Sequence, residues 1–147
     1  MVEFKKILVP VIGTKADAEA VKLACRLAKR DKAKIWAVYV IILKRTLPLD
    51  AEIGTEISKA EDILDRAVTI AEEQDYELET ELLQAREAGP IIVEEAVERG
   101  VDLILMGVEY KMRFGQFSLG DVVPYVLKNA QCRVILYHQY TGTELEI

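Results

Sequence analysis

The sequence predicts an α/β fold in which a parallel β-sheet carries helices on both faces, and three observations support this prediction. Short apolar segments alternate with stretches of helical spacing in the order β-α-β-α-β-α-β-α-β. The apolar segments are nearly uninterrupted, which is typical of strands buried on both faces of a parallel sheet. Strands that alternate with helices favour parallel pairing. We therefore expect one doubly wound, five-stranded domain in the 147 residues.

The first strand is predicted at Lys6–Val11 (KILVPV), an apolar run bounded by Gly13. A helix with apolar residues at intervals of three and four follows, and Thr14 or Asp17 is expected to cap its start. The second strand is predicted at Ala33–Leu43 (AKIWAVYVIIL). These segments make up the opening β-α-β unit.

The middle of the chain continues the alternation. The most regular helical spacing runs from Ile53 to Gln74. Apolar and polar residues then alternate over Tyr76–Ala85, which predicts a third strand with one solvated face at a sheet edge. A third helix is expected to begin at Gly89 and Pro90, with the proline at its first position, and to end at Gly100.

The last third of the chain supplies two more strands. The fourth is predicted at Val101–Met106, and a polar loop separates it from a helix that opens at Asp121 with Pro124 in its first turn. The fifth strand is predicted at Arg133–Tyr137. An ordered core over residues 5–138 is expected, with disorder in the polar tail 139–147.

Composition limits the possible partners and compartment. The chain is 51% hydrophobic and 30% charged, which suits a soluble protein with a core. Its net charge of −6 argues against binding to nucleic acid or to an anionic membrane surface. The longest apolar run, Ile35–Leu43, is too short to cross a bilayer, and the N-terminus lacks a secretory pattern. We therefore expect a cytoplasmic protein with neither a nucleic-acid nor a membrane partner.

No arrangement of residues predicts catalysis or a metal site. Cys25 and Cys132 are far apart and form no metal-binding motif, so two buried, reduced thiols are expected. The single histidine, His138, follows the last strand and is expected at the surface. Nucleophile-elbow, zinc-protease and P-loop motifs are absent from the sequence. We predict no catalytic residues and no metal.

One stretch, Val101–Val122 (VDLILMGVEYKMRFGQFSLGDV), has the pattern of a ligand loop. An apolar strand leads into Gly107, and a polar loop with Gly115 and Gly120 precedes a new helix. This order can place backbone N–H groups and the positive end of a helix beside an anion.

This stretch resembles the nucleotide loop of the universal stress protein family. ATP-binding members read G-x2-G-x9-G-[S/T]; Gly107 and Gly120 match this signature, whereas Tyr110 and Asp121 depart from it. The resemblance extends from Lys5 to about Tyr137 and includes KKILVPVIGT and EAVERGVDLILMG. It implies the adenine nucleotide alpha hydrolase-like fold, with strand order 3-2-1-4-5. A ligand crevice is then expected at the topological switch point between the first and fourth strands.

Three departures from the family pattern predict a degenerate nucleotide site. Tyr110 places a ring where a glycine would let the backbone approach the phosphates. Asp121 replaces a hydroxyl residue, and its carboxylate at a helix start is expected to occupy the anion site and to repel phosphate. Ile12 stands where ATP-binding members usually carry an acid that holds the adenosine. The resemblance is therefore to the family branch that does not bind ATP, and no cofactor is expected.

The remaining crevice is expected to be lined by residues of two loops, namely Pro10, Val11, Ile12, Gly13, Met106, Gly107, Tyr110, Lys111, Arg113, Gly120 and Asp121. Lys111 and Arg113 can grip a different anion, with Tyr110, Phe114 or Phe117 as a stacking face. The alternative is that both cations are solvated and that the aromatic rings pack the loop onto the domain.

The last strand suggests a partner. Cys132–Tyr137 is apolar and is expected at the sheet edge, where an open strand invites pairing. The resemblance implies a homodimer through this strand. The predicted function is a non-catalytic stress-response or regulatory module that does not bind ATP. The alternatives are a small-ligand or nucleotide (ATP/AMP) sensor and, last, a weak ATPase.

Overall fold

The computed structural model describes residues 3–109, 111–113, 116–118 and 120–138. The strands in these ranges are β1 (Lys6–Pro10), β2 (Lys34–Ile42), β3 (Glu79–Ala85), β4 (Leu103–Val108), β5 (Lys111–Arg113), β6 (Gln116–Ser118) and β7 (Arg133–His138). The helices are α1 (Lys15–Asp31), α2 (Gly54–Glu73), α3 (Ala88–Arg99) and α4 (Val122–Asn129). The predicted tail, 139–147, lies outside the described residues.

Five strands form one parallel sheet in the order β3-β2-β1-β4-β7. This is the predicted order 3-2-1-4-5, because β7 is the fifth strand of this sheet along the chain. The central pair, β1 and β4, are neighbours although they are far apart in sequence. The predicted fold class is confirmed, and β3 lies at the edge expected for it.

The strands are apolar on both sides because helices cover both faces of the sheet. On β1, Ile7 and Val9 pack into a core cluster with buried residues of α1 and α2. Leu8 between them packs into a second cluster with Ile92 of α3 and Val126 of α4. All three β1 side chains are fully buried. Because successive side chains point to opposite faces of the sheet, β1 contributes residues to both core clusters.

Two predicted boundaries differ from the structure. Helix α3 begins at Ala88, so Pro90 occupies its third position and not its first. The proline is still in the first turn, where its missing N–H costs no helical hydrogen bond. Strand β3 begins at Glu79 and not at Tyr76. The Tyr76 hydroxyl instead donates a hydrogen bond to the backbone carbonyl of Ala33, which anchors this residue before the strand starts.

The polar loop after β4 contains a small second sheet that the sequence analysis did not predict. Strands β5 and β6 pair antiparallel, with Met112 opposite Phe117. The residues between them in the sequence, Phe114 and Gly115, lie outside the described residues, as does Tyr110. The sequence Phe114-Gly115 is not one of the pairs, such as Asn-Gly or Asp-Gly, that indicate a hairpin strongly.

Gly107 lies inside β4, which continues to Val108, beyond the strand end predicted at Met106. It pairs with Tyr137 of β7 in register. A Cβ added at Gly107 would lie 2.3 Å from the carbonyl oxygen of Ala16, in the first turn of α1. A glycine is required here because the start of α1 passes directly against the strand.

The opposite end of the sheet carries the single tryptophan. Trp36, near the start of β2, is 7% exposed. The Arg99 guanidinium carbon lies 5.0 Å from its ring centroid, and Lys34 Nζ lies 5.3 Å from it. Arg99 also forms an ion pair with Glu95, with 2.6 Å between Nε and Oε2. Trp36 is therefore a buried reporter of folding, remote from the carboxyl ends of the strands.

We predict that Gly107→Ala destabilises the protein by about 3 kcal/mol, because backbone atoms of α1 must shift to admit the methyl group. Urea unfolding followed by Trp36 fluorescence measures the change. Gly54→Ala is the matched control: no atom lies within 4 Å of the Cβ added there, and alanine favours the helix, so no loss is expected. Equal stability of the Gly107→Ala variant and the wild type would contradict the close contact.

Candidate functional site

A crevice opens at the carboxyl ends of β1 and β4, the topological switch point of the sheet. Its volume is about 250 Å³. The two strand ends contribute six lining residues: Pro10, Val11, Ile12, Met106, Gly107 and Val108. Ligands of open parallel sheets bind at this position in general, so this crevice is the candidate site.

The structure places the other sequence-predicted site residues in three groups. Gly120 and Asp121 line the crevice, whereas Gly13 is not among its lining residues. Lys111 and Arg113 lie in β5, and their side chains are outside the description, as are those of β6 including Phe117. Tyr110 and Phe114 are outside the described residues, so the anion grip proposed for that loop is untested.

Most of the crevice wall was missed by the sequence analysis. The additional apolar lining comes from the end of β4 and from β2, α3 and the first turn of α4, namely Val108, Val38, Val40, Ala88, Ile92, Val122 and Val123. The alternation of side chains along a strand predicts that Val38 and Val40 share one face of β2. That β2 lies beside β1, and so borders the crevice, is known only from the sheet order. In total, eleven of the sixteen lining residues are apolar.

Polar side chains of the described lining belong to three residues. Glu109 and Asp121 are exposed carboxylates, and neither has an ion-pair partner within the described part of the chain. Thr14 is the third, and its Oγ1 is buried without a hydrogen-bond partner among these residues. The described lining contains no lysine, arginine or histidine.

Backbone N–H groups of the loop between β1 and α1 are bound by a carboxylate of the protein itself. The Asp17 carboxylate accepts the backbone N–H groups of Ile12, at 3.1 Å, and Gly13, at 2.6 Å. The N–H of Thr14 is a third donor to it. Thr14 occupies the N-cap position of α1, yet its side chain makes no capping bond. The two residues predicted to cap α1 were Thr14 and Asp17. Asp17 is the one whose side chain binds backbone N–H groups, and it does so from the first turn of the helix.

Burial and hydrogen bonding act in opposite directions on Asp17. Burial is the larger effect and raises the pKa of this carboxyl above its ordinary value of 3.8. The three N–H donors and the charge of Arg66 lower the pKa in part. The carboxylate thus occupies a nest of backbone N–H groups at the border of the crevice.

Asp121 does not play the part predicted for it. It precedes α4, but its side chain makes no hydrogen bond to the N–H groups of the helix. Its backbone is helical, with φ −95° and ψ −27°. Side-chain capping normally needs an extended N-cap backbone, so the expectation that Asp121 fills the anion site is wrong. The carboxylate that binds backbone N–H groups in this way is Asp17, in the first turn of α1.

Ile12 lies at the rim of the crevice with 62% of its surface exposed. Its backbone N–H is bound by Asp17, and its side chain offers only apolar surface. The side chain is therefore not part of the core packing at the end of β1.

A family model for the universal stress protein family matches residues 3–138. The chain belongs to this family. A universal stress protein of Methanocaldococcus jannaschii is 33% identical over 139 residues, which are 90% of this chain and 81% of the relative. The family resemblance in the sequence is thereby confirmed for nearly all of the chain.

Solved universal stress proteins share the fold. One from Archaeoglobus fulgidus, in complex with dAMP, has a TM-score of 0.72 and 23% identity; the match covers 92% of this chain and 98% of that one. One from Arabidopsis thaliana, with AMP bound, has a TM-score of 0.65 and 15% identity over 94% of both chains. At these identities the likeness shows the architecture.

The other candidate groups in this universal stress protein are dispersed. Within residues 3–109 and the described ranges after them, no three His, Cys, Asp or Glu side chains are grouped to hold a metal ion. Cys25 is buried as predicted, but Cys132 is only partly buried, because it precedes an edge strand. His138 ends β7 and is exposed. None of the described helices is both long and apolar enough to cross a membrane.

We predict that the stabilising contribution of Asp17 falls as the pH rises. Because its pKa is raised by folding, this contribution is fully present below about pH 3.8 and is lost as the pH passes the folded value. The difference in unfolding free energy between the wild type and Asp17→Asn should therefore decrease from pH 3.5 to 7. Urea titrations at several pH values measure it.

Asp65→Asn is the matched control, since Asp65 is exposed on α2 and its side chain makes no hydrogen bond or ion pair among the described residues. A difference for Asp17→Asn that grows with pH would mean that the N–H donors outweigh burial, contrary to the prediction.

Proposed function

We propose that this universal stress protein is a non-catalytic, cytoplasmic regulatory module of the stress response whose crevice does not hold ATP. The observation that carries the proposal is the charge of the described lining: two carboxylates, Glu109 and Asp121, and no basic side chain. A nucleotide triphosphate brought there meets like charges. Each close pair costs about 1 to 4 kcal/mol, depending on exposure.

The Asp17 bonds support the same conclusion. An anion at the β1–α1 loop would need the N–H groups of Ile12 and Gly13, which already bind this carboxylate. To receive a phosphate, the loop would have to release Asp17 or hold two anions together. The sequence adds that Tyr110 replaces a signature glycine.

The second candidate function is a nucleotide sensor. It is favoured by the relatives with bound dAMP and AMP and by the glycines retained at positions 107 and 120. Gly107 carries less weight than its place in the signature suggests, because packing against Ala16 requires a glycine there. We therefore rank the sensor second.

Calorimetric titration of the full chain with ATP and Mg²⁺ tests the proposal. We expect a dissociation constant above about 1 mM, which corresponds to a binding free energy weaker than about −4 kcal/mol. Protein denatured after purification should release no nucleotide. A micromolar constant would refute the proposal. Phosphate release above a no-protein control would show an ATPase.

Tyr110→Gly/Asp121→Ser restores the family signature and serves as the comparison in the same titration. If the signature departures exclude ATP, this variant should bind it at least tenfold more tightly than the wild type. Glu98→Gln/Val97→Ser, at exposed positions in the last turn of α3, is the control for nonspecific change.

We also propose a homodimer formed through the last strand, Cys132–Tyr137. Strand β7 is the outer strand next to β4, and its residues Val134–Tyr137 are only partly buried. On α4, Leu127 is 52% exposed. It lies about 200° around the helix from Tyr125, and Tyr125 packs against Gly89 of α3. Leu127 therefore points away from α3, and in the proposed dimer it extends the apolar strip of the β7 edge.

Leu127→Lys should shift the chain from dimer to monomer, with the dimer dissociation constant raised at least tenfold, because an interface leucine is replaced by a charge. Sedimentation velocity resolves the two species of a 16.6 kDa chain. Val97→Lys, on α3 and 50% exposed, is the matched control and should leave the equilibrium unchanged. A monomeric wild type, or equal effects of both variants, would rule out this interface.

A further inference from the structure

Helix α1 presents a basic face to solvent, although the protein as a whole carries a net charge of −6. The helix contains five basic and three acidic residues, whereas α2 contains two basic and six acidic residues. At 3.6 residues per turn, the five cations of α1 fall within an arc of about 100°, opposite the buried residues of the helix. We call them the α1 basic face: Lys15, Lys22, Arg26, Lys29 and Arg30.

Most of this face is not neutralised by nearby acids. Lys22 pairs with Glu19, with 3.7 Å between Nζ and Oε1, and Arg30 pairs with Asp31, with 2.9 Å between Nη2 and Oδ2. The other three cations are exposed and form no ion pair with any acid that the structure describes. These three are Lys15, Arg26 and Lys29.

The rest of the sequence cannot supply the missing partners either. Beyond the described residues, the chain has only two acidic side chains, Glu144 and Glu146. Two carboxylates are too few for three unpaired cations. Positive charge is therefore left on α1 for a molecule outside the chain.

Helix stability does not account for the α1 basic face. The helix dipole favours cations in the last turn, which explains Lys29 and Arg30, but it disfavours Lys15 in the first turn. Arg26 has like-charged neighbours three and four residues away, on both sides of it in the sequence. Such pairs destabilise a helix. The arrangement weakens the free protein, and this indicates a role in binding.

From these observations we infer that the α1 basic face binds an acidic helical segment of a partner protein. Lys15, Lys22, Arg26 and Lys29 follow one another at intervals of seven, four and three residues, so they form a line about 21 Å long. Acids at the same intervals on a partner helix lie on one of its faces and reach all four cations together. Charge complementarity of this kind directs association and selects the partner.

The surroundings of α1 favour a protein over a membrane or a nucleic acid. The large exposed apolar residues of the described chain all lie outside α1 and α2, whereas membrane-surface helices need an apolar face. Neither helix contains an aromatic residue on which bases could stack. Helix α2 packs beside α1 and is acidic, so a long polyanion that extends past α1 is repelled there.

The inference goes beyond the proposed function, because it names a partner for the regulatory module and the surface that receives it. None of the five cations lines the crevice. The result of an ATP titration therefore bears on the crevice alone, and the two proposals fail separately.

The experiment titrates two alanine-based helical peptides into the ¹⁵N-labelled full chain at low ionic strength. The matched peptide carries four glutamates at intervals of three, four and seven residues, which complements the line of cations in an antiparallel arrangement. The second peptide has the same composition, with glutamates five residues apart, which distributes them around the helix. The matched peptide should shift the amides of α1, leave those of α3 unmoved, and bind at least fivefold more tightly than the second.

Removal of the unpaired cations tests the surface directly. Lys15→Gln/Arg26→Gln/Lys29→Gln should weaken binding of the matched peptide at least tenfold, because three of its four charge contacts are lost. Urea unfolding followed by Trp36 fluorescence confirms that this variant folds.

Lys5→Gln/Lys44→Gln/Lys128→Gln is the matched control. It removes the same number of exposed cations from outside α1, and none of these three forms an ion pair within the described ranges. The affinity for the matched peptide should change less than twofold. Equal weakening by this variant would show a response to net charge only and would overturn the inference.

Glu144→Gln/Glu146→Gln tests whether the end of the chain competes for the same face. The affinity should again change less than twofold. Binding at least fivefold tighter than in the wild type would make the chain's own acids the occupant and would reject a partner protein.

Three further results would overturn the inference. The first is the absence of α1 shifts with the matched peptide, and the second is equal affinity for the two peptides. The third is tighter binding, through the same amides, of oligo-dT or of phosphatidylserine vesicles, which would assign the face to a nucleic acid or to a membrane.

Discussion

The contact between the start of α1 and β4 determines the geometry of the functional end of this protein. The Ala16 carbonyl lies so close to the strand that only a glycine fits at position 107. This approach holds the first turn of α1 beside the strand, and from that turn Asp17 reaches back to the β1–α1 loop. Gly13 in the same loop packs toward Ile63 of α2. The inner wall of the crevice follows from these contacts.

The same contact changes how the family signature should be interpreted. A glycine in a nucleotide motif is usually explained by the approach of phosphate or ribose to the backbone. In this chain the group that approaches Gly107 is part of the protein itself. A retained glycine can therefore reflect helix–strand packing even where other positions of the motif have changed, and motif matches need the surrounding structure to be interpreted.

Much of the fold followed from the sequence because burial on both faces makes a strand apolar along its whole length. That pattern located β1, β2, β4 and β7, and the resemblance supplied their order. The β5–β6 hairpin was missed because its strands are too short to show a period. At the site, the sequence offered Thr14 or Asp17 as the cap of α1 and Asp121 as the cap of α4. Neither Thr14 nor Asp121 makes a capping bond, and the backbone conformation that prevents it at Asp121 cannot be read from residue type.

The hydrogen bonds of Asp17 also limit the conformational change that ligand binding can cause in the β1–α1 loop. A loop already held by three N–H donors to one carboxylate is preorganised, so little conformational entropy remains to be lost there when a ligand arrives. Affinity gains from this, but the loop offers no disorder-to-order change to serve as a signal. The occupied and empty states must then differ elsewhere. The first turns of α3 and α4, which form the facing wall, are the elements through which occupancy would reach the protein surface.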